Sequence, residues 1–168
     1  MKALLAALLV VSPAAAAPPP PVIDMHMHAM GAADEGPPPM GMCTPIEPFP
    51  VWDQRRPYEE IFVERFKKPP CSDPVWSPMT DSALRDETIA AMRKLNIYGV
   101  LSGPPERVAE WRRAAPGRFW PGLDFSLGRD YSPDRLRALH RAGDLAVLAE
   151  ITIQYEGIEP SHPRLEPV

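Results

Sequence analysis

The chain has 168 residues, 24 of them proline, and carries a formal net charge of −4. That length accommodates one modest domain. A mildly acidic chain without a basic stripe argues against a nucleic-acid partner, whose backbone must be neutralised by clustered cations.

The first residues read apart from the rest. Met1-Lys2 is a short positive start, Ala3 to Val11 is apolar, and Ser12 to Ala17 is rich in small residues. The pattern is that of a secretory signal peptide over residues 1–17, which predicts a periplasmic or secreted protein. The apolar run is too short to span a bilayer and no later segment approaches that length, so no membrane partner is expected. The body of the protein then runs over residues 18–168, opening with the extended linker Pro18 to Pro21.

Val22-Ile23-Asp24-Met25-His26-Met27-His28 reads as the first strand. Alternation places Asp24, His26 and His28 on one face and Ile23, Met25 and Met27 on the other, with Met25 and Met27 against helices as core. Two neutral imidazoles converging from one face are half of a transition-metal site.

Residues 29–79 follow as a long insertion; fifteen of the prolines fall between Pro18 and Pro78, and no long periodic run survives there. One short helix is predicted from about Pro57 to Phe66, with Ile61, Phe62 and Phe66 as its apolar side. Both cysteines, Cys43 and Cys71, lie in this insertion. In an exported protein they are read as a disulfide, worth roughly 3–4 kcal/mol through loop closure. Two free thiols, or a Cys43 thiolate on a metal, are the alternatives. The insertion leaves the first strand at its C-terminal end, where it borders any pocket, and Trp52, Arg55, Arg56 and Tyr58 are its candidates for substrate contact.

From Thr80 the pattern becomes regular. Thr80 or Asp81 caps a helix with a stripe of Leu84, Thr88, Met92 and Leu95, Ile89 beside it. Ile97 to Ser102 is the second strand. Pro104-Pro105 opens a helix with Val108 and Trp111 inward, closed by Pro116-Gly117. Phe119 to Phe125 is the third strand, Ser132-Pro133 starts a helix carrying Leu136 and Leu139, and Gly143 stops it. Leu145 to Ile151 is the fourth strand, so apolar that burial on both faces is predicted. Four strands with helical crossovers make a parallel sheet, and an open doubly wound sheet or a barrel fits the count. No Gly-x-Gly-x-x-Gly follows the first strand, which argues against dinucleotide binding.

Polar residues end the strands: His26 and His28, then Ser102, Asp124 and Glu150. In α/β barrels this is the level at which chemistry collects. Ser102-Gly103 reads as turn chemistry, and Asp124 as either a turn cap or a substrate contact. Glu150 ends an apolar strand and needs a partner, which makes it a candidate ligand. His140, between Arg137 and Arg141, reads as a solvated helix face, and His162 sits in a polar loop.

These residues resemble the amidohydrolase superfamily, in its amidohydrolase-related branch of metal-dependent hydrolases. The likeness rests on Ile23-Asp24-Met25-His26-Met27-His28, with support from Val100-Leu101-Ser102-Gly103, Ala149-Glu150-Ile151 and Gln154-Tyr155. It covers residues 22–28 and 80–168. The resemblance implies an α/β fold, the N-terminal half of a (β/α)8 barrel, with a divalent metal, zinc above all, on His26, His28 and Glu150. The implied reaction is attack of metal-activated water on an ester, lactone or amide carbonyl of a small-molecule substrate. The branch also contains decarboxylases. Its members take further ligands from later strands, and a whole barrel needs about 250 residues. The chain is therefore expected to be inactive alone, with open sheet edges prone to self-association.

A second reading belongs to a different class. Met25, Met27, Met30, Met40 and Met42 stand close to His26, His28 and Cys43. Thioether, imidazole and thiolate donors suit Cu(I), so the tract 25–43 also reads as that of a periplasmic copper-binding protein. Methionine as a core gap-filler is the competing use.

Overall fold

A computed structural model describes residues 19–45, 49–125 and 132–166; the signal-peptide reading lies outside them. The strands are β1 (Val22–His28), β2 (Gly41–Met42), β3 (Val75–Trp76), β4 (Ile97–Ser102), β5 (Phe119–Phe125) and β6 (Val147–Ile151). The helices are α1 (Tyr58–Lys67), α2 (Asp81–Lys94), α3 (Pro105–Ala114) and α4 (Pro133–Ala142). β1, β4, β5 and β6 form one parallel sheet in that order, curled into a half-barrel with helical crossovers.

α2 and α4 start where the sequence supplies a capping side chain, whereas α1 and α3 follow prolines. The Thr80 hydroxyl accepts from the Ala83 N–H at 3.2 Å, and Ser132 accepts from Arg135 at 3.3 Å. Gly143 ends α4 with φ 78°, a left-handed conformation that glycine adopts without steric cost. Outside the sheet, Ile89 and Met92 of α2 pack with Val108 and Trp111 of α3 against Leu101 and Phe119. Burying a side chain of this size stabilises by about 1.5–3 kcal/mol, so this layer anchors the middle of the sheet. Inside the curl, Val100, Gly122 and Ala149 meet so closely that a Cβ on Gly122 would lie 3.0 Å from Val100 Cγ1 and 3.1 Å from Ala149 Cβ.

Three packing expectations are corrected. Met25 is 57% exposed rather than core, Ile23 is 55% exposed, and only Met27 packs against the helix layer. Among the described residues β1 is an edge strand, paired only with β4. The last strand, predicted to be buried on both faces, is the opposite edge; it starts at Val147, and Ile151 is 45% exposed. Leu95 is 53% exposed because α2 ends at Lys94 and Leu95 is its C-cap.

The described residues of the insertion are held by a disulfide, a short strand pair and hydrogen bonds. Cys43 and Cys71 form a disulfide with Cα atoms 5.9 Å apart. β2 and β3 pair antiparallel, which the proline-rich composition concealed, and Lys67 Nζ donates to Pro39 O at 3.0 Å. At the insertion's start, Arg107 of α3 donates to Ala29 O at 3.3 Å and to Asp34 Oδ2 at 2.7 Å. Gly31 N–H donates to the same Asp34 oxygen, and Ala32 N–H to Asp81. The Gly31 N–H, with Arg107 second, holds the Asp34 carboxyl below its ordinary value. This clamp fixes the chain leaving β1 against the starts of α2 and α3.

Candidate metal site

A carboxylate and two imidazoles meet at the C-terminal end of the sheet. His28 Nε2 lies 3.0 Å from His26 Nε2 and 3.2 Å from Glu150 Oε2, and His26 Nε2 lies 3.5 Å from the same oxygen. The three predicted ligands are thus brought together. Their side chains are graded in exposure: His26 is 61% accessible, His28 33% and Glu150 31%. His26 forms the rim and the other two the floor.

Simple alternation accounts for His26 and His28 sharing a face, but not for the whole arrangement. β1 runs in register with β4 at Asp24↔Gly99, yet three residues later at Met27↔Leu101, so Met25 and His26 together oppose one residue. Such a bulge frees a backbone N–H from the ladder. The Asp24 carboxylate takes it up, accepting from the His26 N–H at 3.0 Å. Asp24 therefore shapes the strand beneath the donors and is not one of them.

β6 carries a second bulge at the same level. Asp124 pairs with Ala149 and Phe125 with Ile151, leaving Glu150 as the extra residue. Ala149 points into the curl and Leu148 packs with the outer layer, so strict alternation would turn Glu150 outward too. Its φ of 49° reverses that. A left-handed non-glycine residue is uncommon and clusters at functional sites. Here it swings the carboxylate over the concave face to the histidines.

The remaining candidates fall elsewhere. Asp124 is half-buried beside this bulge and outside the three-donor group. Ser102 is not merely turn chemistry: it is 1% exposed, and its Oγ lies 3.3 Å from both Met27 O and His28 Nδ1. Its register partner on β1 is His28, a pairing that becomes visible only once the bulge shifts the strand by one. His140 is exposed, with Nδ1 on Leu145 O at 2.9 Å, and His162 Nδ1 accepts from the Arg164 N–H. Arg55 pairs with Asp53, Arg56 with Glu64, Trp52 donates to Arg56 O, and the Tyr58 ring meets Phe62. These four are engaged within the insertion.

The Met/His tract does not gather as a soft-donor cluster. Cys43 is spent in the disulfide, the Met27 sulfur lies against Gly99 in the helix layer, and Met40 packs on Gly36. The donor set that does converge is two nitrogens and a carboxylate oxygen, which suits zinc or a similar divalent ion. Two ligands bonded to zinc at 2.0–2.1 Å in tetrahedral geometry are about 3.3 Å apart. The three observed separations, 3.0, 3.2 and 3.5 Å, bracket that edge length. The three residues could hold a metal ion.

Among the described residues no helix is long and apolar enough to cross a membrane. The chain matches no family model, and no curated protein or solved structure is significantly similar to it.

Proposed function

We propose that this chain is an exported, amidohydrolase-like protein that holds one divalent cation, zinc above all, on His26, His28 and Glu150, in a sheet built as the first half of a (β/α)8 barrel. The observation that carries the reading is the donor triangle, whose three edges match one face of a zinc tetrahedron. Bulges on both ligand-bearing strands and the left-handed Glu150 support it, because backbone irregularity of this kind persists where function requires it. Four parallel strands in chain order with ligands at their C-terminal ends agree with barrel ancestry. The disulfide agrees with export.

A bound divalent ion supplies Lewis acidity to a substrate carbonyl and acidifies a water, which suits hydrolysis of an ester, lactone or amide. His28 and Glu150 form a partly shielded floor, and His26 is the most exposed of the three donors. Among the described residues no further histidine, cysteine or carboxylate joins the three donors as a ligand. Zinc binding is accordingly expected to be measurable, and turnover by the chain alone to be low.

The test is competition for zinc against a chromophoric chelator. His26→Ala, His28→Ala and Glu150→Ala should each weaken binding at least tenfold. Equal zinc affinity in all three variants would overturn the assignment, and Cu(I) binding without zinc binding would favour the copper reading. Zinc-dependent hydrolysis of an activated ester or a lactone, lost in His26→Ala, would show that the three donors suffice for turnover.

A further inference from the structure

We propose that Ser102 is a positioning residue that orients His28 and leaves its Nε2 lone pair free for a metal, an inference that rests on the metal reading above. Ser102 is the one polar residue buried to 1% exposure in the described core, and nothing in a turn requires that. Its hydroxyl has two neighbours at the same distance, Met27 O and His28 Nδ1, each at 3.3 Å. A carbonyl oxygen only accepts, whereas Nδ1 donates or accepts according to the tautomer.

One arrangement satisfies all three atoms with Nε2 left bare. His28 Nδ1–H donates to Ser102 Oγ, and the Ser102 hydroxyl donates to Met27 O. In the opposite arrangement the hydroxyl donates to Nδ1, the proton resides on Nε2, and that nitrogen cannot ligate. Because Ser102 offers one proton and the carbonyl beside it only accepts, the relay His28→Ser102→Met27 favours the Nδ1–H tautomer, whereas Glu150 Oε2, 3.2 Å from Nε2, favours the other until a metal takes the place of that proton. The backbone makes the relay rigid: Ser102 O accepts from the Ala29 N–H at 2.7 Å, pinning the residue after His28 to the residue that orients it. The next residue, Gly103, has φ 131°, so the chain can turn away immediately and leave the hydroxyl at the strand end. Orienting partners on the far nitrogen of a ligating histidine typically contribute 10–100-fold to metal affinity.

The experiment uses the zinc-loaded chain and two readouts. In ¹⁵N–¹H spectra, His28 Nδ1–H of the wild type should be a protected, slowly exchanging proton. Ser102→Ala should lose that protection and weaken zinc 10–100-fold by chelator competition, while Ser102→Thr, which keeps the hydroxyl, should recover most of the affinity. Far-ultraviolet dichroism of the metal-free variants separates misfolding from lost orientation. Should Ser102→Ala unfold, the wild-type spectrum decides, because an unprotected His28 Nδ1–H there refutes the proposal. Zinc affinity within twofold of wild type in a folded Ser102→Ala refutes the Ser102 role while the metal reading stands. A wild-type chain that does not bind zinc removes both.

Discussion

Glu150→Gly and Glu150→Ala, made side by side, separate the cost of the residue's backbone from the use of its carboxylate. Both delete the ligand oxygen, but only alanine keeps a Cβ at φ 49°. The left-handed region costs an ordinary L-residue roughly 1–2 kcal/mol, and glycine escapes that cost. Glycine in a strand loses about 0.5–1 kcal/mol through the greater freedom of its unfolded chain. The metal-free glycine variant should therefore match or slightly exceed the wild type and stand about 1 kcal/mol above the alanine variant. For a chain of this length, 1 kcal/mol corresponds to roughly 2–4 °C in Tm. The assay is thermal unfolding followed by dichroism, first with chelator and then with zinc. At zinc near 100 times the Kd, the wild type should gain about 2.7 kcal/mol, and both variants should gain far less. An alanine variant as stable as the glycine variant in chelator would refute the strain argument. An undiminished zinc shift in both variants would refute the carboxylate as a ligand.

Four further outcomes are expected. Because its hydrogen bonds hold the Asp34 carboxyl below its ordinary value of 3.8, the folded state binds that proton less readily than the unfolded chain. The stabilisation is therefore present above about pH 4 and disappears as pH falls through the depressed value, and acid titrations of Asp34→Asn should lack this part of the slope. The Cys43→Ser/Cys71→Ser double variant should lose about 3–4 kcal/mol in denaturant unfolding, and the two peptides should be linked in non-reduced mass spectra. A Cβ at Gly99 would collide with Met27 Sδ, so Gly99→Ala should cost about 1–3 kcal/mol and be non-additive with Met27→Ala. Sedimentation should show concentration-dependent association through the exposed edge residues Val22, Ile23 and Ile151, reduced in Ile23→Lys.

The regular elements were legible because their signals are local. Thr80, Ser132 and Gly143 cap their helices as their residue types require, and β1, β4 and β5 run over the predicted spans Val22–His28, Ile97–Ser102 and Phe119–Phe125. Burial was less legible, since it depends on neighbours that a strand's own residues do not specify. Ile23, Met25 and Ile151 are as apolar as any core residue, yet they occupy the two edges of the sheet. The short pairing of Gly41–Met42 with Val75–Trp76 is non-local as well, held by a cross-link near each strand rather than by a repeating pattern.

The site shows where a period-two argument succeeds and where it stops. His26 and His28 were placed together by alternation, and over those three residues alternation holds. For Glu150 the same rule gives the wrong face, because Ala149 points inward and the next residue should point out. The glutamate was singled out on different grounds, the cost of a carboxylate at the end of an apolar strand, and that cost is met by the bulge that turns it inward. Ser102 makes a related point. Its proximity to Gly103 suggested a turn, but its partner across the ladder is decided by the β1 bulge at Met25 and His26. A one-residue slip changes which side chains face each other. The bulge that displaces His26 is therefore also what sets Ser102 opposite His28, so removing the Asp24 carboxylate that accepts the freed N–H should disturb both histidines at once.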